Sequence, residues 1–572
     1  MKARWILQKP DRRVVDALSR GLSCHRAVAA ALANRGLADP DAARRFLFPS
    51  IADLSLPSSM ADIDKAAERL ARAVVNGEGI LVFGDYDADG VCATALLTEF
   101  LEQVGGRAVY RIPCRETEGY GIKPGHVRDA AERRAKVIAT VDCGISGHEA
   151  AAAAARCGVD LLVTDHHEPG ETLPPALAVV DPKRRDCPSG LCHLSGTGVA
   201  FFLCAHIRAA LREAGWFGSR PEPNLLEKCD LVALGTVADL VPLTGENRIL
   251  VRAGLEAMRT RPRPGIAALM DAAGVPKDAV NERDVAFSLA PRINAAGRLD
   301  HAGVCVELLR TTSQKAAASR ARKLEALNGR RKLAEGEVFA QALEAAQSEE
   351  YAEFARTLVL AGDWHQGVVG ISAARLMRRL NRPVALLCTN GKGPARGSAR
   401  SIPGLDLMAI LSRCSDLLHA YGGHAMAAGL EVLPADIPAF AQRFEAEAQK
   451  AARGLSLAPE ILLDWPLSLT EVGPALADEL EALRPFGEGN PEPLFLGEDV
   501  AVASQRVVGR GARRLSLSQN GVRRPVLSAI WFSPDTEDDL PPLLPRVCFK
   551  INWNHFRGQT TLQLEVEGVD LG

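Results

Sequence analysis

Nine acidic or imidazole side chains close short apolar runs in the first 240 residues. GILVFGDYDADG ends in Asp85, Asp87 and Asp89, AKVIATVDCG in Asp142, VDLLVTDHH in Asp165, His166 and His167, ALAVVDP in Asp181, and CDLVALGTVAD in Asp239. Any single aspartate after such a run is equally well explained as the cap of the next helix. The set is harder to explain that way. If the runs are parallel strands, their carboxyl ends share one edge and these side chains meet in one crevice. Carboxylates gathered there repel one another and take up protons unless a cation sits among them. An acid-lined edge with imidazoles therefore points to a metal.

Other nucleotide-handling devices are missing. Neither G-x-G-x-x-G nor G-x-x-x-x-G-K-[ST] follows the first run, so the dinucleotide and P-loop readings lack their backbone cradle. The Gly-rich segment GKGPARGSARSIPG, residues 391–404, brings Lys392, Arg396 and Arg400 within reach of a phosphate but by itself reads as a flexible turn. Cys187, Cys192 and His193 lack a fourth zinc ligand and read as incidental thiols.

The elements that must position these residues follow from the pattern. From about residue 78 to 240, apolar runs alternate with Ala-rich helical segments, which predicts repeated βαβ units and a parallel sheet. Residues 312–350 carry no proline and many helix formers, which predicts one long connecting helix with Gly329 as a candidate break. A second α/β region spans about 356–450, with strands at TLVLAG and PVALLC and a loop at YGGHAMAAGL. The tail, with RRLSLSQ, VLSAIWF, RVCFKINWN and TTLQLEVEG, predicts a small all-β barrel or sandwich. Between Ala501 and Arg524 it holds Arg506, Arg510, Arg513, Arg514, Arg523 and Arg524 with no acidic residue, which suits a single-strand track as well as a solvated hairpin.

The chain has 572 residues, 47% hydrophobic and 24% charged, with a formal net charge of -2, so no global positive field marks a nucleic-acid partner. No window resembles a signal peptide or a membrane span, and 13 scattered cysteines fit reduced thiols, so a cytoplasmic protein is expected.

The ordered motifs DYDADG, VDCG, Asp165-His166-His167 and GTVAD resemble the DHH phosphoesterase superfamily, and within it the bacterial 5′ exonucleases specific for single strands. APRINAAGRL, WHQGVVGISAARL, GSARSIPGLDL, YGGHAMAAGL and RPFGEGNPEP extend the likeness over most of the chain. The resemblance implies two ions, Mn²⁺ or Mg²⁺, held by Asp87, Asp89, Asp142, His166 and Asp239, with Asp142 as the bridge and His167 free to touch the scissile phosphate or to orient a ligand. Mixed carboxylate and imidazole ligands suit manganese on chemical grounds as well. Asp85 and Asp165 are expected to support the ligands. Asp230 rivals Asp239, and position at the strand's carboxyl end favours Asp239. Several relatives have His where this chain has Phe83, which implies a more weakly held first ion.

For substrate, Arg292, Asn294 and Arg298 are expected near the strand edge as phosphate contacts, with inter-domain salt bridging as the plainer alternative. Ser398, Arg400, Ser401, Gly423 and His424 correspond to the family's second-domain phosphate grip, and Arg506, Arg510, Arg513 and Arg514 to its single-strand-binding barrel, an OB-fold. The expected organisation is an N-terminal helical segment 1–50, an α/β catalytic domain 51–305, a connecting helix 306–352, a second α/β domain 353–455 and the β tail 456–572. The implied activity is 5′ to 3′ degradation of single-stranded DNA to mononucleotides in recombination and repair, by a monomer alongside single-strand-binding protein and a RecQ-type helicase. A shorter DHH phosphatase or nanoRNase would lack the tail. A non-catalytic scaffold would lack ligands that this chain retains.

Overall fold

The computed structural model describes residues 4–54, 59–348, 354, 356–390, 393–509, 511–522, 524–532, 534, 538–556 and 559–571. Its chain forms two compact units. One holds Pro113–Gly119 and Pro291–Pro459, and the other Trp5–Ile112, Tyr120–Ala290 and Glu460–Gly572. Among the described residues no helix is long and apolar enough to cross a membrane.

The acidic motifs belong to the second of these units. Five parallel strands, β1 (Gly79–Gly84), β2 (Arg107–Arg111), β3 (Ala135–Val141), β4 (Asp160–Thr164) and β5 (Ala178–Val180), lie in the order β2-β1-β3-β4-β5. Helices α1 (Ala88–Gln103), α2 (Pro124–Glu132), α3 (His148–Cys157) and α4 (Gly196–Glu213) lie between or after them. Side chains alternate across a strand. Leu81, Phe83, Ile138, Leu161 and Val163 thus share one core with Val127 and Ala130 of α2 and Ala150 and Ala154 of α3. Burial on both faces explains why these runs read as continuously apolar rather than alternating.

CDLVALGTVAD departs from expectation. It is a helix, α5 (Cys229–Ala238), and Asp239 is its C-terminal cap rather than the end of a strand. Every residue from Cys229 to Val237 is buried, so the segment is apolar all round. Such a run has no periodicity to separate a core helix from a core strand.

The same unit contains a closed barrel of five strands, β11 (Phe495–Val508), β12 (Ala512–Gln519), β13 (Leu527–Trp531), β14 (Leu543–Phe556) and β15 (Gln559–Asp570). They pair as β11-β12-β13-β15-β14, and β14 returns to β11. Closure leaves no free sheet edge. The N-terminal helices Arg12–Leu22, Arg26–Asn34 and Pro40–Leu47 complete the barrel's core, with Val15, Leu18 and Leu32 packing among Leu480, Trp531 and Phe549.

In the other unit, α6 (Ala290–Leu299) precedes α7, a 33-residue helix (Gln314–Ala346) that passes Gly329 unbroken. Its sheet has the order β9-β10-β8-β7-β6, from β6 (Leu358–Gly362), β7 (Val384–Cys388), β8 (Ala395–Arg400), β9 (Ala420–His424) and β10 (Ala427–Val432). The Gly-rich segment read as a turn is thus the central strand β8, and the segment read as a loop, YGGHAMAAGL, is the antiparallel pair β9-β10. A Cβ on Gly397 would stand 2.2 Å from the Leu386 carbonyl oxygen. The glycine is there for strand contact, not for a bend.

Candidate metal centre

Strand β1 ends at Gly84, and the chain turns at once into α1. Asp87 caps that helix, its Oδ1 accepting from the Gly90 amide at 3.0 Å. Asp89, one residue inside the helix, is buried and accepts from the Gly196 amide at 2.6 Å and the Thr197 amide at 3.1 Å, the first residues of α4. Asp142 follows β3 at φ +60°, a conformation that aspartate tolerates better than most residues. Close approach depends on two glycines. A Cβ on Gly196 would lie 2.6 Å from Asp142 Oδ1, and one on Gly235 of α5 would lie 2.5 Å from Asp89 Oδ1.

His166 follows β4 after Asp165. Its Nδ1 lies 3.1 Å from the Leu194 carbonyl, which can only accept, so the proton sits on Nδ1 and Nε2 presents a lone pair. That Nε2 is 3.1 Å from Asp142 Oδ1, 3.5 Å from Asp239 Oδ2 and 3.9 Å from Asp89 Oδ2. Yet His166 Nε2 and Asp142 Oδ1 are both buried without a hydrogen-bond partner among the described residues. Acceptor atoms converging on one point without donors between them is the donor set of a cation site. Three overlapping triads have this form: Asp85, Asp87 and Asp142; Asp89, His166 and Asp239; and Asp142, His166 and His167.

The electrostatics agree. Burial, followed by repulsion from Asp89 and Asp87, pushes Asp142 well above the usual carboxylate range. Burial with Asp89 and Asp87 pushes Asp239 up to about 9, and burial with Asp87 pushes Asp89 up to about 6. Burial first, and the neighbouring His167 second, lower His166 to about 3, so it stays neutral.

His167 differs. Burial depresses its basicity, but the hydrogen bond and charge of Asp165, helped by Asp239 and Asp87, outweigh that and raise it to about 9. Asp165 is fully buried and orients the imidazole of His167 and the backbone of His166: its Oδ1 is 2.7 Å from His167 Nδ1 and accepts from the His166 amide at 2.8 Å, while Oδ2 accepts from the Ile145 amide at 2.9 Å. Asp181, at the end of β5, is buried but belongs to none of the triads. Phe83 is buried against the ring of His126 at 4.9 Å and offers no ligand.

Tyr120, which the motifs did not bring out, has its hydroxyl 3.4 Å from the Asp142 carbonyl and 3.3 Å from His167 Nδ1. It lies in the segment between β2 and α2, without a pattern that would announce it.

The expected substrate contacts divide into groups. Arg292, Asn294 and Arg298 lie on helix α6 rather than at a strand edge. Arg292 is buried with its Nε donating to Glu325, and Arg298 donates to the Gly367 carbonyl at 3.1 Å. These bonds brace α6 against α7 and the following helix, α8 (Gln366–Leu380). Ser398 and Arg400 lie on β8 beside the first turn of α8, where a Cβ on Gly370 would stand 3.1 Å from Ser398 Oγ and 3.0 Å from Arg400 Nη2. Burial and the nearby charge of Arg115 lower the pKa of Arg400. Ser401 is fully buried, and its hydroxyl donates to the Leu405 carbonyl at 2.8 Å. Gly423, at φ +150°, and the exposed His424 end β9. In the barrel, Arg506 and Arg514 are exposed, but Arg513 is 3% exposed, folded against Gln505. The register that turns Arg514 outward turns Arg513 inward. Lys392, Arg510 and Arg523 lie outside the described residues.

Comparison with known proteins agrees with this architecture. Residues 79–236 match the DHH family, N-terminal domain; residues 354–450 match the DHHA1 domain; and residues 463–568 match the RecJ OB domain. The chain is 40% identical over 518 residues to the single-stranded-DNA-specific exonuclease RecJ of Dickeya dadantii, covering 88% of this chain and 90% of that one. It is 39% identical over 523 residues to RecJ of Escherichia coli, covering 89% and 90%. The crystal structure of RecJ in complex with Mn²⁺ from Thermus thermophilus superposes with a TM-score of 0.84 at 32% identity, over 99% of this chain and 79% of that one. The corresponding Mg²⁺ complex gives 0.77 at 30%, over 99% and 78%.

Proposed function

The chain belongs to the RecJ family of DHH proteins, and from that premise we propose that it is a metal-dependent exonuclease that degrades single-stranded DNA from the 5′ end. The observation that carries the reading is the pair of partnerless acceptors, Asp142 Oδ1 and His166 Nε2, inside a cluster of carboxylates. Asp87, Asp89, Asp142, His166 and Asp239 hold two divalent ions, Mn²⁺ or Mg²⁺, with Asp85 beside them. Asp142 and His166 each belong to two of the triads; of the two, only the carboxylate has a second oxygen to offer a second ion, so Asp142 would be the shared ligand. Bound there, the ions supply charge neutralisation for the phosphodiester and activation of the attacking water.

The chain's own residues do the rest. Asp165 fixes the ring of His167 through Nδ1 and leaves Nε2 as the group that meets the scissile phosphate. The amides of Gly196 and Thr197 hold Asp89 in place, and the Leu194 carbonyl fixes the tautomer of His166. In the other unit, Arg400, Arg115 and Ser398 at the start of α8 make an anion site suited to a terminal phosphate, which would confer polarity. Arg506 and Arg514 of the barrel track the following strand. A role in recombination and repair, as a cytoplasmic monomer acting with single-strand-binding protein and a RecQ-type helicase, is part of the same proposal.

The test is digestion of single-stranded DNA labelled at either end, with Mn²⁺ and with chelator. Loss of the 5′ label first, as mononucleotide, and only with metal, is the expected result. Release from the 3′ end, or hydrolysis in chelator, overturns the reading.

A further inference from the structure

Of the large apolar side chains exposed in the unit that holds the acidic cluster, two of those described stand out as the most exposed. Leu240, directly after Asp239, is 73% exposed and held at φ +59°. Phe287 is 76% exposed on a π-helical turn, Val285–Leu289. A leucine at positive φ is strained and persists only where its surroundings impose it, and π-turns concentrate at functional sites. Both residues line one cavity of about 380 Å³, together with Val237, Val241 and Phe486. Leu240 is bonded to Asp239, so the cavity wall lies one residue along the chain from a candidate metal ligand.

The rim narrows the choice of occupant. It carries five carboxylates, Glu282, Glu488, Glu492, Glu565 and Glu567, and three cations, each of them paired: Arg283 with Glu565 at 3.0 Å, Lys550 with Glu492 at 3.5 Å and with Glu567, and Arg484 with Glu282. With its cations answered and carboxylates in excess, the rim has no positive field that would hold a phosphate backbone. The apolar walls suit a flat, neutral group, and the volume admits one nucleobase with room to spare.

We propose that Leu240 and Phe287 form the platform on which a nucleobase beside the scissile bond packs, so that cleavage depends on the presence of a base as well as a phosphodiester. This rests on the single-strand exonuclease reading above. The backbone is then held by the charged elements, and the platform sets the angle at which the nucleotide enters the crevice.

The experiment compares Leu240→Ala, Phe287→Ala, the double variant and Phe287→Tyr with the unaltered protein. The substrates are a 5′-labelled oligodeoxynucleotide and the same oligonucleotide with abasic tetrahydrofuran residues at its first three positions, both in Mn²⁺. Because both side chains are exposed, their truncation leaves the core intact, which matched melting temperatures check. The expected result is that the unaltered protein cleaves the abasic strand about tenfold more slowly, a loss of about 1.4 kcal/mol, within what stacking on an aromatic ring supplies. The double variant should lose the same factor on the normal strand and nothing further on the abasic one, while Phe287→Tyr retains discrimination. Equal losses on both strands, or no loss on the normal strand, overturn the platform. Failure of the unaltered protein to cut either strand overturns the exonuclease reading instead, and the two failures are told apart in one experiment.

Discussion

Helix α5 carries an aspartate at each end, in two buried charge clusters of opposite design. At its first turn, Asp230 receives a guanidinium fork from Arg263, at 2.7 and 2.8 Å. Arg263 also reaches Glu99 at 3.0 Å, and Lys228 closes the group on the same Glu99. Two carboxylates face two cations. At the other end Asp239 joins Asp85, Asp87, Asp89 and Asp142 around a neutral His166, with His167 and, less strongly, Lys183 as the positive groups that act on Asp239. The helix dipole favours a carboxylate at the first end and disfavours one at the second. A cluster neutralised by its own side chains is structure. One that raises the proton affinity of Asp89, Asp142 and Asp239 for want of a counter-charge is a receptacle for a cation.

The comparison can be broken most sharply at Asp142. Asp142→Ala should lower cleavage of single-stranded DNA in Mn²⁺ by more than about 10²-fold, the order lost with one electrostatic stabiliser, while filter binding of long single strands persists. Near-normal hydrolysis in saturating Mn²⁺ would remove the metal assignment. At the other cluster, Arg263→Ala leaves Asp230 and Glu99 under-compensated and should cost about 3–5 kcal/mol of stability in denaturant unfolding. Per folded molecule, its Mn²⁺ affinity and activity should be unchanged. A large fall in metal affinity in that variant would show that the two ends of α5 are one system.

Metal itself should separate the clusters. Mn²⁺ at 100 times its dissociation constant should add about 2.7 kcal/mol to the stability of the unaltered protein, and little to Asp142→Ala. The pH dependence follows from the raised carboxyls. Asp239 rises from 3.8 to about 9 and Asp89 from 3.8 to about 6, so the folded, metal-free protein binds more protons than the unfolded chain. Its stability in chelator should therefore decline as pH rises from about 4 towards 9, and Mn²⁺ should flatten that decline. Thermal melts across this range check the sign; a metal-free protein that gains stability between pH 5 and 8 contradicts it. The smallest effect belongs to the barrel: replacing both Arg506 and Arg514 by Ala should reduce the log-log salt slope of single-strand binding by about 1.4, or 0.7 per phosphate contact, with short oligonucleotides cut as before.

The acidic ends of β1, β3, β4 and β5 were legible because each strand is a short apolar run with a carboxylate behind it, and parallel topology requires those ends to share an edge. For the same reason the order of the motifs sufficed to recognise the family and the three-part α/β, α/β and β-barrel plan. Tertiary structure alone decided what depends on partners distant in the chain. Position in the run already favoured Asp239 over Asp230, but that Asp230 is answered by Arg263, 33 residues on, no local pattern shows. α5 was a helix because its burial on all sides erased the periodicity that distinguishes helix from strand. Arg292 was paired with Glu325, and Arg513 was turned into the barrel beside an outward Arg514. A sequence states which residues carry charge; whether a charge is answered by the protein or left for a ligand depends on which side chains the fold brings within about 4 Å of it.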